Sequence, residues 1–463
     1  MKLYFLGIGG TAMGNLAIVM KSLGHEIFGA DEKVYSPMSD LLHKAGIKYF
    51  EGYNAEHLPQ VAPDKIIIGN ALSRGNPEVE YILTSKKFDF ISLPEMIKKS
   101  VIKDRPSIVI TGTHGKTTTT TMTTFLLQKN GINPGHLIGG APLNFSSGAD
   151  YGHKNAPFVI EGDEYDSAFF DKRSKFVHYF PEILVINNIE LDHIDIFRDI
   201  DDIKRTFSHV IRLVPQNGCI IANGDSEVIR ELLPIEWTNT IFVGKNPGND
   251  FILADEKFSQ NGTEFRLKGK DISGANIVWD IKSPLFGEHN ARNAAMAVLA
   301  TYVYTKNKNI ITDFSGFLGL KKRQEVVLKS DKCIVISDFA HHPTAIQETI
   351  KAIKQAYPEY KIITAFEPRS NTACSNCFQK QFQHAFRGSD RVYIMPVFKK
   401  RTRKILNIKK LVANIDYCPC ESMSIEDLQV RLMSESFTEK VLFLCLSNGS
   451  FANLPQTLAK HFE

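Results

Sequence analysis

Residues 111–118 read Thr-Gly-Thr-His-Gly-Lys-Thr-Thr, directly after the apolar run Ser107–Ile110 and before a helical segment. Glycines, a lysine and a hydroxyl in that order suit a phosphate chain. Backbone N–H groups around Gly112 and Gly115 can cradle phosphate oxygens, and the helix N-terminus adds positive potential. The loop is a shortened form of GxxxxGK[ST]. Its residues Gly112, Thr113, His114, Gly115, Lys116, Thr117 and Thr118 are read as ATP-binding. Lys116 would reach the β- and γ-phosphates and Thr117 would offer its hydroxyl to Mg²⁺. The plainer alternative is a chance glycine turn. The strand-loop-helix context on both sides favours the nucleotide.

Glu161, Asp163, Glu164 and Asp166 cluster at the end of the apolar run Pro157–Ile160, and Asp192-His193 follows the run Ile183–Asn187. Neighbouring strands would present Glu161 and His193 on one sheet edge. Thr117, Glu161 and His193 are therefore expected to share one Mg²⁺, although this ion prefers oxygen to a histidine nitrogen. The alternative is a solvated acidic loop beside a structural histidine. Near the start, Gly7, Gly9 and Ala12 satisfy GxGxxG/A, with Asp31 about 20 residues on, which is a dinucleotide fingerprint. A dehydrogenase would use it. The pyrophosphate of a UDP-sugar would fit the same loop equally, held by Gly7, Gly9, Gly10 and Thr11, with Asp31 on the uridine side. The phosphate loop at 111–118 favours the sugar nucleotide, because a dehydrogenase does not need one.

These residues need rigid elements to carry them. Apolar runs recur at Lys2–Leu6, Glu26–Ala30, Lys65–Ile68, Ser107–Thr111, Pro157–Glu161, Ile183–Asn187, Cys333–Ser337, Lys361–Phe366, Arg391–Met395 and Val441–Leu446, separated by amphipathic stretches. Strands alternating with helices predict parallel sheets covered on both faces. Polar breaks at Lys103–Pro106 and Leu320–Gln324 divide the chain into α/β units of about 1–105, 106–324 and 325–463.

The 463 residues, 43% apolar and 23% charged, exclude wholesale disorder. A net charge of +4 is too even to imply nucleic acid. The basic stretch Lys399, Lys400, Arg401, Arg403, Lys404, Lys409 and Lys410 reads as a solvated face, with a nearby anionic substrate as the alternative. No apolar run approaches a transmembrane length and the first residues lack the pattern of a signal peptide, so a cytoplasmic location is expected. Seven cysteines argue against a disulfide framework. Cys374, Cys377, Cys418 and Cys420 could hold zinc, but their spacing favours ordinary cytosolic thiols.

Taken together, the motifs resemble those of the Mur ligases, ATP-dependent amide-forming enzymes of bacterial cell-wall synthesis. The resemblance covers essentially the whole chain: GIGGTAM at 7–13, GTHGKTTT at 112–119, IEGDEYD at 160–166, NNIELDHID at 187–195, GEHNARN at 287–293 and DFAHHPT at 338–344. It implies three α/β domains on mostly parallel sheets: N-terminal Rossmann-like for the UDP-sugar, central P-loop ATPase, C-terminal Rossmann-like. It implies an acyl phosphate, then attack by an amine. It adds His289, Asn290, Asn293, Arg323 and Asp338 to the ATP contacts, and gives Lys116, Glu161 and His193 catalytic positions. The GIGGTAM and AHHPT forms resemble the branch that uses UDP-N-acetylmuramate.

GNALSRGNP at 69–77, AFFDKRSKFVHY at 168–179, EPRSNT at 367–372 and SNGSF at 447–451 resemble family members whose acceptor is the tripeptide L-Ala-γ-D-Glu-meso-diaminopimelate. Such an acceptor needs more donors than one amino acid does. Arg369, Ser370 and Asn371 follow one predicted strand, and Ser447 and Asn448 follow another, at the end where ligands sit in an open sheet. Arg369 can hold a carboxylate bidentately. The alternative is ordinary helix capping. Where the family often has two arginines this chain has Lys322-Arg323, and where it often has Asp-Asp this chain has Ser337-Asp338. Lys204 stands too early for the carbamylated lysine that bridges two Mg²⁺ ions in several relatives. Two competing functions remain at this stage: a ligase adding L-alanine alone, and a non-catalytic nucleotide switch.

Overall fold

The computed structural model describes residues 1–271, 273–397 and 405–463. β1 (Lys2–Leu6), β2 (Glu26–Asp31), β3 (Lys48–Glu51), β4 (Lys65–Ile68) and β5 (Phe90–Ser92) form a parallel sheet in the order β3-β2-β1-β4-β5. The order reverses beside β1, which opens a crevice at the strand ends, the usual ligand position in such sheets.

A second sheet carries β6 (Ser107–Thr111), β7 (Gly135–Leu137), β8 (Ala149–Asp150), β9 (Phe158–Gly162), β10 (Ile183–Ile186), β11 (Cys219–Asn223) and β12 (Asn239–Gly244). Its order is β12-β11-β10-β6-β9-β7-β8, parallel except where β7 meets β8. All of β6 and β10 is buried. Because β6 lies between β9 and β10, the loops leaving these three strands emerge side by side. The chain then makes an antiparallel meander of β13 (Phe251–Ser259), β14 (Gly262–Lys270) and β15 (Asn276–Ser283). Burial alternates residue by residue in β15, as in a strand with one solvated face.

The third sheet holds β16 (Glu325–Lys329), β17 (Cys333–Asp338), β18 (Lys361–Phe366), β19 (Arg391–Ile394), β20 (Cys420–Ser422) and β21 (Val441–Leu446), in the order β16-β17-β21-β18-β19-β20. Only β16 runs antiparallel. One face packs Ile346, Ile350 and Phe382, and the other packs Leu428, Leu454 and Leu458. All ten apolar runs expected from the sequence are strands, with ends displaced by one residue at most.

The chain divides into two compact units. One comprises Met1–Ile189, Asp201–Asp250 and Met296–Ile311, and the other Glu190–Ile200, Phe251–Ala295 and Thr312–Glu463. Among the described residues no helix is long and apolar enough to cross a membrane. The basic residues Lys399, Lys400, Arg401, Arg403 and Lys404 lie outside the described residues, while Lys409 and Lys410 are exposed on the helix Ile408–Asn414. No disulfide joins the seven cysteines, and among the described residues no group of thiols is gathered for a metal.

Candidate active site

The helix Lys116–Lys129 follows β6 directly and buries every residue from Thr117 to Leu127. Its threonine run is stabilised from within. The hydroxyls of Thr120, Thr121, Thr123 and Thr124 each donate to the carbonyl four residues back, at 2.7–2.9 Å. That removes the cost of burying them unpaired. Gly112 and Gly115 have φ of +133° and +83°, which L side chains rarely adopt. A Cβ on Gly112 would also stand 3.1 Å from Asn187 and from the Asn188 backbone. Asn188 clamps the loop: it accepts from the His114 N–H at 2.7 Å, donates to the His114 carbonyl at 3.1 Å, and its own carbonyl accepts from Thr113 N–H at 3.2 Å. Sequence reasoning gave Asn188 no role. The only trace of it was a pair of asparagines directly after a buried strand.

The acids at the end of β9 are sorted by their partners. Glu161 accepts from two neutral donors, the Thr117 hydroxyl at 3.0 Å and the Gly139 N–H. Glu164, 3% exposed, meets the Lys116 ammonium at 2.9 Å. Lys116 also donates to the Gly112 carbonyl at 2.7 Å. Asp163 meets Lys175 at 3.2 Å, and the Lys175 ammonium lies 4.2 Å from the centre of the Tyr165 ring. Lys175 comes from the 168–179 stretch and is buried.

Burial, then the Asp163 charge, raises the Glu161 pKa above its ordinary value, against the pull of Gly139, Thr117 and Lys116. Burial opposes ionisation of Lys116, but Glu164, Asp163 and Glu161 outweigh it and hold its pKa above that of an ordinary lysine. Burial likewise opposes ionisation of Asp163, yet Lys175 and Lys116 hold its pKa low. The oxygens of Thr117 and Glu161 are thus side by side, and they are the hard donors that Mg²⁺ selects. His193, with φ +49°, belongs to the segment Glu190–Ile200 of the other unit. Its carbonyl accepts from the N–H groups of Ile196 and Phe197. Its neighbour Asp192 accepts from the Thr372 hydroxyl at 2.6 Å. Lys204 is engaged by Glu231 and Asp201.

In the first sheet, Gly7 turns at φ +85° and Gly10 caps the helix Thr11–Ser22. Asp31 shapes this loop. It accepts from the Gly9 N–H at 2.8 Å, from the Glu32 N–H at 2.8 Å and from the Tyr53 hydroxyl at 3.3 Å. A Cβ on Gly9 would sit 2.9 Å from the Asp31 carboxylate.

In the second unit, Asn290 donates to the Phe286 carbonyl at 2.9 Å and to Gln324 at 3.0 Å, and Asn293 donates to Asn290 at 3.1 Å. Gln324 also bonds the Phe286 N–H and carbonyl and approaches His289 at 3.4 Å. Gln324 gives its own N–H to Asp338 at 2.7 Å. This buried glutamine, unassigned from the sequence, ties the three motif residues His289, Asn290 and Asp338 together. Burial raises the Asp338 pKa, opposed by Arg323 and the N–H groups of Ala340 and Gln324. Arg323 stacks over Phe339 at 4.5 Å.

At the ends of β18 and β21, Arg369 lies 3.5 Å from Glu367 and packs on Gly449, where a Cβ would meet it at 2.4–2.6 Å. Lys322 donates to the Gly449 carbonyl at 2.6 Å. Burial, assisted by the Arg369 charge, lowers the Lys322 pKa, against Glu325 and Glu367. Ser447 donates to the buried Glu367, and the Asn448 side-chain amide oxygen is buried with no hydrogen-bond partner. Ser370 caps the helical turn Asn371–Cys374 and Asn371 donates to Asp195 at 3.0 Å. The structure therefore brings together Arg369, Ser447 and Asn448 and gives Ser370 the capping role.

A P-loop set in a parallel sheet, with an acid and a hydroxyl beside it, defines a nucleotide-binding class of protein. Three family models match in order: the Mur ligase family catalytic domain at residues 2–102, the Mur ligase middle domain at 110–301, and the Mur ligase glutamate ligase domain at 322–430. The chain belongs to the Mur ligase family. It is 39% identical, over 85% of each chain, to the UDP-N-acetylmuramate–L-alanyl-γ-D-glutamyl-meso-2,6-diaminoheptandioate ligase of Escherichia coli. It is 35% identical to the Haemophilus influenzae ligase of the same name, over 98% of each. The crystal structure of a murein peptide ligase from Psychrobacter arcticus superposes with a TM-score of 0.72 at 32% identity, covering 100% of this chain and 98% of that one.

Proposed function

We propose that this chain joins the carboxylate of UDP-N-acetylmuramate to the amine of L-Ala-γ-D-Glu-meso-diaminopimelate, in the recycling of cell-wall peptide in the cytoplasm. ATP is consumed through an acyl phosphate. The observation that carries this reading is likeness over nearly the full chain to two ligases named for that acceptor. Residues 1–105 bind the UDP-sugar at the Gly7–Thr11 loop. Residues 106–324 bind ATP. Residues 325–463 bind the acceptor and complete the ATP site.

The chemistry accounts for the residue types. A carboxylate is a poor electrophile until it is phosphorylated. The transferring oxygens are all negative, so the loop amides, Lys116 and Arg323 stabilise charge that develops there. Thr117 and Glu161 are proposed to hold Mg²⁺, with His193 as the third partner expected from the sequence. When bound, the ion would offset phosphate charge. His289, Asn290, Asn293 and Asp338 fix the nucleotide. Arg369 and Asn448 orient the peptide, so that part of the barrier is met by positioning.

Phosphate release from ATP in the presence of UDP-N-acetylmuramate tests this. The tripeptide should support release far better than L-alanine. The opposite preference would replace the proposal with a UDP-N-acetylmuramate–L-alanine ligase.

A further inference from the structure

A phosphate-loop lysine without its nucleotide would ordinarily face the solvent. Instead the Lys116 side chain is 11% exposed, folded back between the Gly112 carbonyl at 2.7 Å and the Glu164 carboxylate at 2.9 Å. The two charges belong to different strand ends, 48 positions apart in sequence, and the parallel pairing of β6 with β9 sets them beside each other. Lys175 and Asp163 form a second pair alongside, so the Asp163 charge is met by another ammonium. The lysine that must grip a phosphate therefore already has an anion, and the anion is almost wholly out of water.

We propose that Glu164 is a positioning residue for nucleotide binding, a latch that holds Lys116 until a nucleotide arrives together with its divalent cation. The inference rests on the nucleotide reading of the phosphate loop. A phosphate chain entering the loop offers Lys116 oxygens in exchange for Glu164. If Lys116 leaves, a buried carboxylate loses its ammonium, which is costly unless another cation compensates. A nucleotide without metal makes that cost fall on binding. A nucleotide with Mg²⁺ brings a cation to the oxygens of Thr117 and Glu161, at the end of the same strand as Glu164. The latch thus makes the site select the metal-bound nucleotide over the bare one. Positive charge stays beside Glu164 in both states, supplied first by lysine and then by the ion.

Glu164→Gln tests this, because it keeps the shape and a carbonyl oxygen for Lys116 while removing the charge. Binding of the non-hydrolysable β,γ-imido analogue of ATP is measured by calorimetry on the whole protein, with Mg²⁺ and with EDTA. The variant should bind the bare analogue about tenfold tighter than the unmodified protein, a typical size for a coupling between sites. The gain in affinity on adding Mg²⁺ should shrink by a similar factor. Thermal melting without ligand confirms folding. If Glu164→Gln does not fold, Glu164→Asp, which shortens the reach to Lys116, should shift both quantities in the same direction. A folded variant that binds the bare analogue no tighter, or keeps the full Mg²⁺ enhancement, overturns the latch. Failure of the unmodified protein to bind the analogue at all would instead overturn the nucleotide reading beneath it.

Discussion

Around the phosphate loop, Lys116 meets Glu164 at 2.9 Å, Lys175 meets Asp163 at 3.2 Å and Thr117 meets Glu161 at 3.0 Å. Around the proposed acceptor edge, Arg369 and Lys322 both reach Gly449, with Glu367 as a neighbouring buried carboxylate and the Asn448 side-chain oxygen buried without a hydrogen-bond partner. Both places lie where strands of an open parallel sheet end. In the first, each ammonium already has a carboxylate, and Glu161 is a third carboxylate held by neutral donors. A ligand there must exchange partners. The second sets Arg369 and Lys322 beside Glu367 and Glu325, with the Asn448 side-chain oxygen an acceptor still to be met. A ligand there would add an N–H for the Asn448 side-chain oxygen and offer the guanidinium a carboxylate besides Glu367. With the proposed roles, binding, chemistry and folding share the same side chains in the first region, whereas in the second they separate.

The largest expected effect breaks the first region. Lys116→Ala should lower turnover by about a thousandfold or more, the scale of a lost charge-stabilising contact in a transition state. It should also destabilise the fold by about 3–5 kcal/mol, since a buried carboxylate is left without its ammonium. Turnover and chemical denaturation of the same preparation read both. Wild-type turnover would refute the nucleotide assignment. Lost turnover with unchanged stability would refute the claim that this region couples the two. Arg369→Ala tests the second region. Arg369, 31% exposed and resting on a glycine, is proposed to hold the acceptor rather than to support the core. Its removal should raise the tripeptide KM by about 10–100-fold, as for a lost charge-assisted pair, and leave the ATP KM and the stability nearly unchanged. A comparable rise in both KM values would mean that the two regions are not separable in this way.

The same contrast governs what could be read from the sequence. The phosphate loop was legible because glycine positions and a lysine obey local geometry: strand, turn, helix N-terminus. The ten apolar runs were legible as strands for a similar reason, since burial on both faces leaves an unbroken apolar run, although the equally buried β11 was not picked out. The meander β13–β15 was not, because its alternating, half-solvated pattern is diluted by charged residues such as Asp255, Glu256 and Lys257. The partners that arrive from distant segments were also hidden. Asn188 on the loop and Gln324 beside His289 and Asn290 come from segments well separated in sequence, which no local spacing encodes, and Lys175 meets Asp163 through the folding of the β9–β10 connection. Arg369 was picked out by its place after β18. The glycine it lies on, 80 residues away by chain position, had no signature of its own.

Gly449 gives the smallest and most discriminating test. An added methyl would stand 2.4 Å from Arg369 Cδ and 2.6 Å from its Nε and Nη1. All three atoms belong to a flexible side chain, so the arginine would swing aside and the backbone would stay. Gly449 lacks the positive φ that would make any side chain strained there, and its carbonyl still accepts from Lys322. Gly449→Ala should therefore cost less than about 1 kcal/mol in stability, in the range of surface substitutions. It should raise the tripeptide KM by a few-fold, less than Arg369→Ala, while ATP use is untouched. The double variant decides the cause. If the methyl acts by displacing Arg369, Gly449→Ala should have no further effect on the tripeptide KM once Arg369 is alanine, because a shared cause makes the two changes non-additive. Independent, multiplying effects would show that the 447–451 turn contacts the peptide by its own backbone, and the acceptor edge would then depend on loop shape as much as on the guanidinium.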